Sequence, residues 1–164
     1  MERKNLFPVN KIPYLKNSTY RENNCIFCKV LENSPEVDNL LIHKGELVSI
    51  SLNLYPYNPG HLMIFPHRHI EDLREIAPEE ETELSYLTKL SLNLLEKVYQ
   101  ATGFNLGYNM GPFSGASINH LHLHIVPRYP NEVGFLDILS GTKLIVEEPQ
   151  LTQSRLKAEI AKMI

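Results

Sequence analysis

The chain has little of what would take it to a nucleic acid or a membrane. Its 164 residues carry 16 lysines and arginines against 19 aspartates and glutamates, a formal charge of -3 with a pI near 6.2, and contain no dense basic block. Such a charge gives no long-range attraction to a polyanion, so nucleic acid is not an expected partner and any anionic ligand should be small and held locally. Long hydrophobic runs are also missing, and none approaches the ~20 residues of a membrane-spanning helix. Met1-Glu2-Arg3-Lys4-Asn5-Leu6 lacks the apolar core of a signal peptide, which makes the cytoplasm the expected location. No internal repeat or low-complexity segment stands out. Cysteine is scarce: the two present sit together in Cys25-Ile26-Phe27-Cys28. In a reducing compartment that spacing argues against a structural disulfide and for metal binding, with redox chemistry and inert thiols as alternatives. Zinc takes four ligands, and the seven histidines are the obvious source of the other two.

What is present is an ordinary globular composition, 43% hydrophobic and 21% charged, in a chain long enough for one domain with its own core. Residues 1–24 are polar, include Pro8 and Pro13, and show no sustained period, so they are expected to form an arm beside a single domain over 25–164. Leu40-Leu41-Ile42 and Leu47-Val48-Ser49-Ile50-Ser51-Leu52, separated by Lys44-Gly45, predict a hairpin. His61 to Phe65 predicts a third strand, entered through the turn Tyr55-Pro56-Tyr57-Asn58-Pro59-Gly60 and stopped by Pro66. A long helix is predicted from Pro78 to Gln100 and ended by Gly103. Proline suits its first turn, Glu79, Glu80 and Glu81 suit the positive end of its dipole, and Leu84, Leu87, Ser91, Leu94, Leu95 and Val98 share one face. Strands are expected over 104–110, 119–127 and Lys143 to Val146. A final amphipathic helix near 153–163 would dock Leu156 and Ile160 on the body or on a second subunit. Antiparallel strands with one long helix and a C-terminal helix give an α+β fold.

The chemistry lies in His120-Leu121-His122-Leu123-His124-Ile125-Val126. Strand side chains alternate faces, so three imidazoles would share one face and Leu121, Leu123 and Ile125 the other. Imidazole can accept, donate or carry a proton near neutral pH, attack as a nucleophile, or bind metal. The preceding loop, Gly111 to Ser117, brings backbone N–H groups near Gly115 and the hydroxyl of Ser117 beside this row, an arrangement suited to an anion next to a nucleophile. His122 is the best nucleophile candidate, because neighbours on both sides can fix its tautomer; attack on an α-phosphorus would give a covalent nucleotidyl-enzyme. Two other readings fit the same residues. One is a catalytic zinc held by His120 and His122 with a position open to water. The other is a nucleotide-binding sensor without useful turnover.

Asn53-Leu54-Tyr55-Pro56-Tyr57-Asn58-Pro59-Gly60-His61-Leu62-Met63, Gly103-Phe104-Asn105-Leu106-Gly107 and the histidine row through Val126-Pro127-Arg128 together resemble the histidine-triad family. Within it they look most like the bacterial branch with diadenosine tetraphosphate phosphorylase activity, and the resemblance runs from Cys25 to about Val146. It implies a histidine-triad fold, with an antiparallel half-barrel sheet that pairs across a homodimer, and a small nucleotide substrate. Carried over, it makes His122 the nucleophile on the α-phosphate, His120 and His124 its motif neighbours, and His61 the fourth active-site histidine. Asn53 matches the position that contacts ribose, and Ser117 the one that contacts phosphate or helps the leaving group depart. Asn109, Gly115 and Ala116 fall at the phosphate site. In zinc-bearing relatives the metal is held at the positions that here are Cys25, Cys28, His69 and His120, implying structural zinc; no organic cofactor is implied.

This sequence departs from the family pattern at two places. Hydrolases and phosphoramidases usually carry glutamine where Ala116 stands. The missing amide opens space for inorganic phosphate as second nucleophile, so the expected reaction is phosphorolysis of diadenosine tetraphosphate to ATP and ADP. Hydrolysis of dinucleoside polyphosphates or phosphoramidates to AMP is the alternative. After the row, Tyr129-Pro130-Asn131-Glu132-Val133-Gly134-Phe135 stands where the phosphorylase branch tends to have tryptophan and a Gly-Asp loop.

Overall fold

The alternating apolar runs of the sequence form an antiparallel sheet with a different task for each face. The computed structural model describes residues 25–111, 113–130 and 147–164; the expected arm at 1–24, the segment 131–135 and the strand from Lys143 to Val146 lie outside the described residues. In chain order the elements are α1 (Ile26–Leu31), β1 (Leu41–Lys44), β2 (Val48–Leu52), β3 (Leu62–Pro66), a 3-10 turn (Leu73–Glu75), α2 (Pro78–Tyr99), β4 (Gly103–Tyr108), β5 (Leu123–Arg128) and α3 (Pro149–Ile160). The strands make one five-stranded sheet in the order β1-β2-β3-β5-β4, antiparallel at every pairing. This is the α+β half-barrel expected, and no helix among the described residues is long and apolar enough to cross a membrane.

One face is core. Val48, Ile50 and Leu52 of β2, Leu62 and Ile64 of β3, and Leu123 and Ile125 of β5 join Leu84, Leu87, Leu94 and Leu95 of α2 in one buried cluster. Each such side chain contributes about 1.5–3 kcal/mol by leaving water. Leu156 and Ile160 of α3 are buried in the same cluster, so this helix docks on its own chain. Gln153 fixes its position by donating from Nε2 to the carbonyls of Asn39 and Leu41 at 3.0 and 2.9 Å.

The other face carries the site. Across it Ser51 pairs with Met63 and Met63 with His124, and Phe65 lies one step further along β3. Helix α1, which propensity did not reveal, covers this face by stacking Phe27 on Phe65 with ring centroids 4.0 Å apart.

Helix α2 begins at Pro78 as predicted, and Glu80 of its first turn is buried: its carboxylate accepts the Ala77 N–H at 2.9 Å and pairs through both oxygens with Arg68 at 2.7 Å. Two local expectations are corrected. The helix is ended by Gln100 in the left-handed region, φ 54°, and Gly103 instead opens β4. The last strand starts at Leu123, not at residue 119, so only His124 of the histidine row lies on the ladder. Upstream of it, Leu121 N–H donates to the carbonyl of Ile70 and the His120 ring bonds the carbonyl of Pro66, which ties 120–122 to the connection after β3.

Candidate active site and metal centre

His120, Leu121 and His122 are all buried although they do not belong to the sheet ladder. The two imidazoles have different partners, and the hydrogen bonds of each say which nitrogen holds its proton. His122 Nδ1 lies 2.7 Å from the carbonyl oxygen of His120. A carbonyl can only accept, so Nδ1 carries the hydrogen and Nε2 keeps a free lone pair. Burial pushes the His122 pKa below the ordinary 6.5 against the opposing pull of that carbonyl, which favours a neutral ring with a nucleophilic Nε2 at neutral pH.

His120 uses the same logic in reverse. Its Nε2 donates to the Pro66 carbonyl at 2.8 Å, leaving Nδ1 bare. That nitrogen faces two thiols, Cys25 Sγ at 3.3 Å and Cys28 Sγ at 3.8 Å, and His69 Nδ1 stands 3.5 Å from Cys28 Sγ. The four ligand atoms all lie within 4.8 Å of one another, and both cysteines are free. Bonds of about 2.0–2.3 Å in a tetrahedron have edges of roughly 3.3–3.8 Å, which the separations of 3.3, 3.5 and 3.8 Å match. The chemistry fits too: two sulfurs, a bare imidazole nitrogen whose partner nitrogen is anchored, and Glu71 Oε1 at 3.8 Å from the outer nitrogen of His69. Burial, then the neighbouring Cys25 thiol, pushes the Cys28 pKa up to about 12; a bound cation would reverse that. Cys25, Cys28, His69 and His120 are thus a cluster able to hold a metal ion.

The third group is a chain of side chains. His61 is fully buried just before β3, and its Nε2 is 3.0 Å from His124 Nδ1. His124 Nε2 lies 3.3 Å from the carboxamide of Asn109. Burial first, then the neighbouring imidazoles, pushes His61 down to about 3 and His124 to about 4.

These groups meet in a cleft of roughly 840 Å³, counting its open mouth. Ile26, Phe27 and Val30 of α1 with Leu40 and Leu52 are its apolar lining. His122, His124, Asn109, Gly115 and Ser117 are polar groups of the same lining, and Phe27 meets His122 edge-on with ring centroids 5.3 Å apart. Sequence reasoning missed Asp38, which lines this cleft, and Tyr57, which is 59% exposed and stacks on His61 at 5.0 Å. No local pattern marks either residue. Ala116 lies between two lining residues, with its N–H donated to Ser114 Oγ at 3.2 Å. Gly115 adopts φ +84° with open space around it, so its glycine serves backbone conformation. Asn53 lines the cleft, but its carboxamide is engaged within its own turn: Oδ1 accepts the Tyr55 N–H at 2.9 Å, and Nδ2 lies 3.3 Å from His61 Nδ1.

An α+β half-barrel presenting this histidine cluster beside a Cys-Cys-His-His site defines a recognisable class. The HIT domain model matches residues 34–131, and the chain belongs to the HIT family. A protein of Mycobacterium tuberculosis named AP-4-A phosphorylase is 37% identical over 137 residues, covering 83% of this chain and 70% of that one. Among solved structures, a hypothetical histidine triad nucleotide-binding protein from Sulfolobus tokodaii is 27% identical, with a TM-score of 0.69 over 85% of this chain and 93% of its own. A zinc-bound histidine triad family protein from Mycobacterium smegmatis shares the fold at 22% identity, with a TM-score of 0.70 over 86% of this chain and 96% of its own.

Proposed function

We propose that the protein is a nucleotidyltransferase that phosphorolyses diadenosine tetraphosphate to ATP and ADP through a nucleotidyl-His122 intermediate. The observation that carries this reading is the bare Nε2 of a neutral, buried His122 in the wall of a cleft lined by both apolar and polar side chains. The apolar side chains suit a purine, and Asp38 suits the ribose hydroxyls.

In the first step His122 Nε2 forms a bond to the α-phosphorus, and the bond from that phosphorus to its bridging oxygen breaks. ATP leaves with the bonding pair, and the imidazole becomes a cation whose Nδ1–H still donates to the His120 carbonyl. Ser117, in the lining of the cleft, would donate to the departing oxygen, and Asn109, in the same lining, to a non-bridging oxygen. In the second step an oxygen of inorganic phosphate attacks the α-phosphorus, the N–P bond breaks, and ADP departs. Ala116 supports phosphate over water because it supplies no long side-chain amide. Cys25, Cys28, His69 and His120 would hold a structural zinc, which would fix the backbone whose carbonyl orients His122.

The test is chromatographic analysis of products from diadenosine tetraphosphate with and without phosphate. ATP and ADP appearing only with phosphate is the expected result. AMP and ATP at the same rate in both arms would assign hydrolysis and overturn the phosphorolysis reading. A His122→Asn variant should bind the nucleotide and yield no labelled enzyme after quenching.

A further inference from the structure

We propose that Asn53 is a positioning residue: together with the Tyr57 backbone N–H it holds His61 and His124 in the tautomers protonated at Nε2, which turns Asn109 so that its amide N–H groups face phosphate at His122. The inference rests on the nucleotidyl-transfer reading for its functional half only.

The argument starts from two donors that cannot reverse. The Tyr57 N–H points at His61 Nδ1 from 3.2 Å, and a backbone amide has no acceptor to offer instead. The orientation of Asn53 is fixed as well, because its oxygen receives the Tyr55 N–H at 2.9 Å. Its amide nitrogen is therefore the atom 3.3 Å from His61 Nδ1. With two donors aimed at it, Nδ1 of His61 must be the bare nitrogen and Nε2 must carry the hydrogen.

That hydrogen is donated across 3.0 Å to His124 Nδ1, so His124 in turn carries its hydrogen on Nε2. The next contact is the Asn109 carboxamide, whose nitrogen is placed 3.3 Å from His124 Nε2. Two N–H groups cannot bond each other, and a half-turn of a carboxamide exchanges its oxygen and nitrogen with almost no change of shape. Asn109 must present its oxygen to His124. Its amide N–H groups are then left free of His124, on a side chain that lines the cleft together with His122 and Ser117. The chain is stable in this sense only if both rings stay neutral, and their burial, with pKa values pushed to about 3 and about 4, keeps them so.

The functional consequence concerns donors. Position 116 carries alanine, and the Asn53 carboxamide is held within its own turn. Asn109 is then a donor to phosphate whose direction is set by Asn53 through two imidazoles.

The test uses the full chain, metal-loaded and nucleotide-free, with 15N-labelled histidine. Imidazole nitrogen spectra should show His61 and His124 each with a hydrogen-bearing Nε2 and a bare Nδ1. In Asn53→Asp the second carboxylate oxygen faces Nδ1, and His61 should acquire a hydrogen there, while the signals of His43 and His67 stay in place. For turnover of diadenosine tetraphosphate, kcat should fall on the order of tenfold to a hundredfold with KM held within about twofold, as for the loss of a residue that orients a reacting group. Asn53→Ala should give a mixture of tautomers and a smaller loss, and it carries the test if the aspartate variant does not fold. Hydrogen on Nδ1 of His61 in the unaltered protein overturns the proposal. So does a raised KM at constant kcat that disappears with a 2′-deoxyribose substrate, which would make Asn53 a ribose contact. Because the spectra involve no nucleotide, failure of the diadenosine tetraphosphate reading would leave the tautomer result standing.

Discussion

Replacing Gly60 with alanine separates two costs that are usually confounded. Gly60 sits at φ +79° immediately before His61, and a Cβ built there would lie 2.9 Å from Leu95 Cδ2 and 3.3 Å from Tyr99 Cδ2. The left-handed backbone alone costs an L-residue about 1–2 kcal/mol. Leu95 is fully buried in the main core and cannot withdraw without opening a gap, so the contact adds about 1–3 kcal/mol of overpacking. The sum is about 2–5 kcal/mol. Gly115 provides the control, since its φ is +84° and nothing lies within 4 Å of the place its methyl group would take. Gly115→Ala should therefore cost no more than about 1–2 kcal/mol. Urea unfolding of both variants, at unchanged m-value, measures the difference. Equal losses, within about 0.5 kcal/mol, would refute the reasoning, because they would mean that Leu95 yields freely and that packing around this turn does not constrain His61.

Two further outcomes follow from the titrating groups and the thiols. His61 and His124 have native pKa values pushed below 6.5, so between pH 6.5 and about 4 the unfolded chain binds protons that the native chain refuses. Stability from these two groups is complete above pH 6.5 and is lost as pH falls, with a slope approaching about 2.7 kcal/mol per pH unit. Denaturation curves across this range check it, and a flat profile would contradict the burial argument. Cys28→Ser should reduce bound zinc from about one ion per chain to well under half and lower the melting temperature, as measured by elemental analysis and thermal unfolding. Undiminished zinc in that variant would remove Cys28 from the ligand set.

Much of the sheet was legible because its core face obeys a two-residue period. Val48, Ile50 and Leu52 announced β2, and the leucines of α2 announced their helix by a 3.6-residue period. The cysteine half of the metal cluster was legible from its spacing, but the choice of His69 and His120 came only through resemblance, since 41 residues separate Cys28 from His69 and no local pattern joins them. The histidine row misled in one respect. Its alternation reads as a strand, yet long-range bonds from Leu121 to Ile70 and from His120 to Pro66 hold the first half off the ladder. Those bonds depend on where the connection after β3 travels, which periodicity does not encode. Helix α1 is too short, at six residues, to declare itself by amphipathicity; it is held by Phe27 against Phe65. Asn53 shows the same limit at the site, because its partners depend on the course of the turn from Asn53 to His61.

The pairing of Ser51, Met63 and His124 across one face, with Leu52, Leu62 and Ile125 on the reverse, sets how this protein can change in length. Inserting or deleting a single residue within β3 or β5 would exchange the faces, carrying imidazoles into the hydrocarbon interior and leucines into the cleft. Residues 110–111 and 113–119 lie outside the ladder and are under no such parity. Natural or engineered variation in loop length should therefore collect there, beside the cleft, where it can reshape the lining near Gly115 and Ser117 without disturbing the contacts that hold His122.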